Sequence, residues 1–563
     1  MKIFSSRSSA ATILLLGVAA MFSAMCFAYI AHQGLVNALI DSKSNLLQTS
    51  QILLSMTPGI SQLGFWPPLL RVLLLPSVLL LPSSLLFYIG GFVTLLPLQL
   101  LAAYFIHEIL RLSGVSRGLC VLGSALLVLQ PFIQFFTASS MTEVPLVTCV
   151  LGATYFARKW ELDDTFLSLF LFAVFVALSS VARYEGLAMV PLSIMFVLYQ
   201  CVKRKKPFDE TKALFIMFTV VALLGVGFIL VYSVSYGGSL LSFLQLGVER
   251  AGGPARKVIP FSVRLFESVR MFIHASMHMS GTWMVGLFPV CAAISLAFRR
   301  KLFDAFIITF LLSPGLFVLL MMIRGRNNIA VYELPIVGYA EDGPYHQFAN
   351  TRYALTWINA IIVCLVFAMD AIVRCAGFLR GVVKFLLVTA VSILAVSWFW
   401  YVFAVSDFST IRRDNSTGSS EWRVLIENYD SGRILIARYA AESAILLSRI
   451  PLDDFVSENN YPYFDQAMNE PWLFVRWVVI PKNPGNVVLL QRFSSLEKKE
   501  SFNHFFELVY EKPDARYYRL RDHVLWEDVK KLGYDPLLVP SLNPQAVWDP
   551  VKIYKTLELS AGR

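Results

Sequence analysis

The sequence predicts an α-helical polytopic membrane protein that ends in a small soluble α/β domain. Three observations carry that prediction. Of the 563 residues, 56% are hydrophobic and 15% charged, and mean hydropathy is +0.62, well outside a soluble globular composition. Apolar runs long enough to cross a bilayer, about twenty residues each, recur about eleven times in the first part of the chain. Past residue 404 hydropathy falls, and short alternating segments take over.

In order, the apolar runs cover 11–31, 84–106, 119–138, 144–158, 165–182, 187–202, 213–235, 282–298, 303–323, 353–373 and 383–404. Those at 144–158 and 187–202 are short for a span. With the N-terminus cytoplasmic, the inner loops collect Lys2, Arg7, Arg111, Arg117, Arg158, Lys159, Lys203, Arg204, Lys205, Lys206, Lys212, Arg299, Arg300, Lys301, Arg374, Arg380 and Lys384. Short basic loops on one side are the positive-inside signature. Asp41 and everything beyond 404 then face outward. The first run lacks a small-residue cleavage site and more spans follow it, so it is a helix and not a signal peptide.

The formal net charge of +10 reflects this topological bias toward anionic lipid. No basic, aromatic-interleaved patch marks a nucleic-acid partner. All seven cysteines lie within or beside apolar runs and none in the tail, so no disulfide holds the tail. No CxxC or Cys/His spacing suggests a metal.

These features divide the chain into a membrane domain, 1–404, and an extracytoplasmic α/β domain, 405–563. Three outward loops are long: 32–83, 236–281 and 324–352. In the first, "SKSNLLQTSQILLSM" spaces Leu46, Leu47, Ile52, Leu53 and Met56 at helical intervals behind Asp41 at an N-cap position. It reads as an amphipathic helix on the outer surface. "FWPPLLRVLLLPSVLLLP" is broken by prolines and reads as interfacial. The second loop holds the basic "ERAGGPARKVIP" and then an amphipathic helix, "FSVRLFESVRMFIHASMHM". In the tail, "GRILIAR", "RWVVI", "NVVLLQRF" and "ARYYRLRD" read as strands and "YAAESAILLSRI" as a helix.

The order of "MTPGISQLGFWPPLL", "SSMTEVPLVTCVLGATYFARKW" and "VARYEGLAMVPLSIMF" behind one helix and an acid-bearing outward loop resembles the GT-C superfamily of membrane glycosyltransferases. The bacterial members related to the protein mannosyltransferase and aminoarabinose transferase group are the most similar. The resemblance covers the membrane half well and touches the tail at "SGRILIARYAAESAILLSRIPLDDFVSENNY". It implies a GT-C-like fold, a polyprenyl-phosphate sugar as donor, and an acid of the first outward loop as catalytic base. Asp41 is the matching position. It also implies a bacterial inner-membrane location. Many members carry a second acid beside the first; here the neighbours are Ser42 and Lys43, so no divalent metal or other cofactor is expected.

The residues are consistent with that chemistry. Nucleotide sugars are too polar to cross a bilayer, so an outward-facing transferase needs a lipid-anchored donor. A carboxylate taking the acceptor's hydroxyl proton contributes about 10²–10⁴-fold, and cations must meet the leaving phosphate. Asp41 is the candidate base; its bland role is a helix cap. Glu143, on a tight outward turn, is a second catalytic carboxylate or an acceptor contact, and otherwise a helix-start acid. Arg183 and Glu185, in "ARYEG", suit phosphate and sugar, and otherwise a local ion pair. Arg256, Lys257, Arg326 and Arg352 are outward cations running against the positive-inside trend, and Arg's fork suits phosphate. Arg326 and Arg352 stand nearest span ends. Glu267, His274 and His278 share a helical face, a stripe more often solvated than metal-binding.

The expected activity is inverting, metal-independent transfer of a sugar to a lipid, glycan or protein acceptor on the outer face. A flippase of lipid-linked sugars is the alternative, but it calls for broken helices and mid-membrane polar residues, whereas the charges here gather at span ends. A catalytically inactive scaffold of the same fold is the third reading.

Overall fold

The computed structural model describes residues 6–59, 62, 67–82, 85–237, 260–299, 302–324, 351–406, 408, 421–460, 463–482, 487–512 and 515–521. The chain opens with a long apolar helix, α1 (Ser6–His32), whose Ile13, Leu14, Val18, Met21 and Met25 are exposed. A bare apolar side on a helix is the surface that lipid covers. After a turn come α2 (Ile40–Leu54), α3 (Leu69–Leu80) and, behind a π turn at Leu86–Gly90, α4 (Gly91–Leu112). The bundle continues through α5 (Arg117–Val128), α6 (Pro131–Ala138), α7 (Glu143–Asp163), α8 (Phe166–Ala182), α9 (Met189–Lys203) and α10 (Phe208–Gly237). It ends with α11 (Phe261–Ser280), α12 (Thr282–Arg299), α13 (Leu302–Ile323), α14 (Ile358–Cys375) and α15 (Arg380–Trp400).

Among the described residues, eight helices are long and apolar enough to cross a membrane, or nine when α5 and α6 count as one span. The protein is a multi-pass membrane protein. The α5–α6 pair bends by 56° because Pro131 follows Gln130, which is held extended at ψ 115, away from the helical region that a residue before proline avoids. Two of the eleven predicted runs, 144–158 and 165–182, lie in helices too short or too charged to count among these. α8 has 17 residues, and α7 carries Glu143, Arg158 and Lys159 near its ends. α7 packs against α4 and α8 and is buried along most of its length, so it presents little surface to lipid.

Two expectations about the first loop change. α2 does not lie on the surface: Ser42 and every residue from Ser44 to Gln51 are buried, because the tail covers its other side. Nor is Asp41 the N-cap; that position is Leu39, and Asp41 sits in the first turn. The proline-broken stretch forms α3, which runs through Pro76 and buries one face.

Past the bundle, α16 (Glu421–Asn428) leads into a five-stranded sheet of order β2-β1-β3-β5-β4. The strands are β1 (Ile434–Ile436), β2 (Phe455–Val456), β3 (Trp477–Pro481), β4 (Phe506–Glu511) and β5 (Ala515–Leu520). β1 runs parallel to β2 and β3, while β5 is antiparallel to β3 and β4. The helix α17 (Arg438–Leu447) follows β1. Alternation in the strands sends Ile434, Ile436, Trp477, Val479 and Tyr517 into the apolar core shared with the membrane helices. Leu435, Val478, Ile480, Tyr518 and Leu520 enter a second core. "NVVLLQRF", read as a strand, lies instead in a helix, α20 (Val487–Glu497), counting α18 (Tyr463–Asn469) and α19 (Pro471–Phe474) before it. Leu489, Phe493 and Leu496 recur at 3.6 spacing into that second core.

The turn between α8 and α9 depends on Gly186, where a Cβ would strike the backbone of Ser179. Gly186→Ala is expected to cost about 1–3 kcal/mol, seen as a lower thermal midpoint of the detergent-purified chain.

Candidate active site

The site grows from the ends of four helices that meet beneath the tail. The turn before α2 is fixed by Asn37, left-handed at φ 52, whose side-chain oxygen accepts from the Ser140 N–H at 3.0 Å. One turn into α2, Asn45 donates to the Ser140 carbonyl at 2.8 Å. These bonds tie the start of α2 to the turn that launches α7. Asp41 and Glu143 both occupy first helical turns, where the exposed N–H groups favour a carboxylate.

Arg352 bridges the two acids. Its Nη2 donates to Asp41 Oδ2, and its Nε stands 3.3 Å from Glu143 Oε1. Arg183, the extended residue that closes α8, donates to the same Glu143 oxygen at 2.6 Å and to Thr142 Oγ1 at 2.7 Å. The other edge of its fork holds Glu185 at 2.9 and 3.2 Å. The buried Tyr353 ring underlies both cations, 4.8 Å from the Arg183 guanidinium and 5.5 Å from that of Arg352, a cation–π arrangement. Three carboxylates against two guanidinia leave a formal charge of −1. Asp41, with its side chain 34% exposed, is the open member; Glu143 is 3% exposed. One Glu143 oxygen, Oε2, is buried without a hydrogen-bond partner.

Five residues singled out from the sequence, Asp41, Glu143, Arg183, Glu185 and Arg352, therefore meet in one cluster. Arg256, Lys257 and Arg326 lie outside the described residues. Glu267 pairs with Arg270 at 2.6 Å, and among the described residues no group of three His, Cys, Asp or Glu is placed to hold a metal. Arg71 was missed. It is 1% exposed on α3 and donates to Asn45 at 3.3 Å; a lone arginine inside "LLRVLLLPSVLLL" was the available signal. The tail adds a further acid, Glu442 on α17, which accepts from Ser44 one turn along α2 from Asp41.

No family model and no curated protein matches the chain by sequence. Its structure is similar to the crystal structure of ArnT from Cupriavidus metallidurans bound to undecaprenyl phosphate, with a TM-score of 0.54 at 11% identity over 92% of this chain and 99% of that one. The chain has an ArnT-like fold. Within that fold, residues up to 311 positions apart converge because the first turns of α2 and α7, the C-terminal end of α8 and the turn that opens into α14 meet at one place. At the opposite helix ends a separate polar cluster joins Arg299 to Asp304 at 2.7 Å and to Asp370 at 3.0 Å.

Removing Glu143 would leave Arg183 and Arg352 buried without their shared acid. Breaking a buried pair this way costs about 3–5 kcal/mol, so Glu143→Ala should lower the unfolding midpoint far more than Asp465→Ala, whose pair with Arg492 is half-exposed.

Glu442 gives a pH dependence of known sign. Burial pushes its carboxyl up from 4.5 to about 7, with Arg438 and the Ser44 hydroxyl pulling back and Asp41 and Glu458 adding to the rise. An acid raised on folding holds its proton more tightly in the folded chain. Its stabilisation is thus complete below pH 4.5 and is lost as pH climbs to about 7, a change of roughly 3 kcal/mol. Thermal midpoints of wild type should fall across that window, and the contribution should vanish in Glu442→Gln.

Proposed function

We propose that the chain is a glycosyltransferase that moves a sugar, with inversion, from a polyprenyl-phosphate donor to a hydroxyl of a lipid, glycan or protein acceptor at the outer face of the membrane. The observation that carries this reading is the half-open Asp41 held against Arg352, on a fold shared with a solved structure that contains undecaprenyl phosphate. Asp41 takes the proton of the acceptor hydroxyl. As the acceptor oxygen bonds to the anomeric carbon, the bond from that carbon to the phosphate oxygen breaks, and polyprenyl phosphate leaves with the electron pair. Attack opposite the leaving group inverts the centre.

Arg352 serves both partners. In the free chain it neutralises Asp41; with donor bound, its fork turns to the phosphate and leaves the carboxylate to act as base. Arg183, fixed by Glu143 and Glu185, holds positive charge beside the leaving oxygens. These guanidinia supply the charge that a metal supplies elsewhere. A Lys43 beside Asp41 and an arginine already on its oxygen suit a metal-independent site.

The orientation belongs to the same proposal: N-terminus in the cytoplasm of a bacterial inner membrane, tail in the periplasm. Arg111, Lys203, Arg299 and Arg374 stand in last turns and Arg117 and Arg380 at first residues, so they gather at helix ends away from Asp41, as the positive-inside bias requires.

The test is transfer of radiolabelled sugar from a panel of polyprenyl-phosphate sugars by the purified chain. Asp41→Asn is expected to lower kcat by about 10²–10⁴-fold while undecaprenyl phosphate binding survives. Equal transfer by both proteins would move the base to Glu143, and a folded wild type inert with every donor would remove the transferase reading.

A further inference from the structure

α3 packs against α2, α4 and α8, and its Val72, Leu79 and Leu80 leave apolar side chains exposed. Arg71 is the one charged residue of this helix, and it is 1% exposed. Burying a charge among apolar helices is costly, and such charges are kept where a charge is used. Its bond to a neutral amide does not need one. Arg71 Nη2 donates to Asn45 Oδ1 at 3.3 Å, and a glutamine amide carries the same kind of donor. The bond explains where the side chain points, but not why it is a cation.

The surroundings supply a reason. Asn45 lies one turn beyond Asp41 on α2, and its Nδ2 donates to the carbonyl of Ser140, three residues before Glu143, at 2.8 Å. The charge of Arg71 also reaches Tyr184, the residue between Arg183 and Glu185. Arg71 therefore stands one residue behind the acidic cluster on two of its sides. Asp41, Glu143 and Glu185 against Arg183 and Arg352 leave a formal charge of −1. Arg71 brings the sum to zero.

We infer that Arg71 is the third cation of the donor site: a positioning residue that touches no substrate, braces Asn45 behind the base, and offsets the third carboxylate so that the site accepts the charge of polyprenyl phosphate. This rests on the transferase reading and adds a residue to it. A polyprenyl-phosphate sugar is a phosphodiester with one negative charge. When its bond to the anomeric carbon breaks, the phosphate keeps the electron pair and becomes a monoester of about −1.5 to −2. A site whose own charge is −1 opposes that gain, and a neutral one does not. Away from bulk water a single charge acts beyond its own hydrogen bonds, so Arg71 serves the phosphate from behind α2 without contact.

The experiment uses the full chain in lipid nanodiscs, with undecaprenyl phosphate and the uncharged undecaprenol as probes. Arg71→Gln is expected to weaken undecaprenyl phosphate binding about tenfold and to leave undecaprenol binding unchanged, which also shows that the variant is folded. Arg71→Lys, which keeps the charge, should retain most of the phosphate affinity. Asn45→Asp leaves Arg71 in place and cancels its charge, so it should reproduce the loss, whereas Asn45→Ala should not. That pair carries the test should Arg71→Gln fail to fold. Equal losses for phosphate and undecaprenol, no loss in Arg71→Gln, or a loss in Arg71→Lys as large as in Arg71→Gln would overturn the inference and leave Arg71 a brace between α2 and α3. A wild type that binds undecaprenyl phosphate no better than undecaprenol would remove the donor reading and this inference with it. Phosphate binding that depends on Arg71, in a chain that transfers from no donor, would keep the inference and remove the transferase reading instead.

Discussion

The site depends on one guanidinium. Arg352 stands between Asp41 and Glu143, and because it is largely buried, its charge is tolerated only while both acids stay in place. That requirement couples three separate parts of the chain: the first turn of α2, the turn into α7, and the 3₁₀ turn Thr351–Trp357 that opens into α14. Arg183 extends the coupling to the end of α8. Within the cluster Asp41 alone retains substantial contact with solvent.

The same physics organises the rest of the membrane part. Charged groups collect at helix ends and pair there, as Arg299 does with Asp304 and Asp370, while most of the length between the ends is apolar. Helices facing lipid, such as α1 and α15, leave large side chains bare. α7, wrapped by α4 and α8, can hold Thr148 and Thr154, whose hydroxyls bond back to backbone carbonyls.

The tail completes what the bundle begins. Its sheet shares one face with the membrane core, and Asn460 donates to Thr57 at 3.1 Å just past α2. α2 is therefore a buried partition between two bodies of the chain. An exposed helix would satisfy its glutamines with water. Here those amides lie buried where the tail covers α2.

The sequence by itself determined the fold class, since the length of its hydrophobic runs reports directly on bilayer thickness. It also singled out Asp41, Glu143, Arg183, Glu185 and Arg352 one by one, because a charge beside an apolar run is conspicuous. It left open which of them touch. It misread α2 as a surface helix, because a stripe of Ser and Gln resembles a solvated face unless the covering domain is known. It misread "NVVLLQRF" as a strand, because a short apolar cluster fits both periodicities. Arg71 went unnoticed in an interrupted apolar stretch. Only the tertiary structure decided these points: pairing and burial are set by contacts between residues hundreds of positions apart, and local sequence carries no record of them.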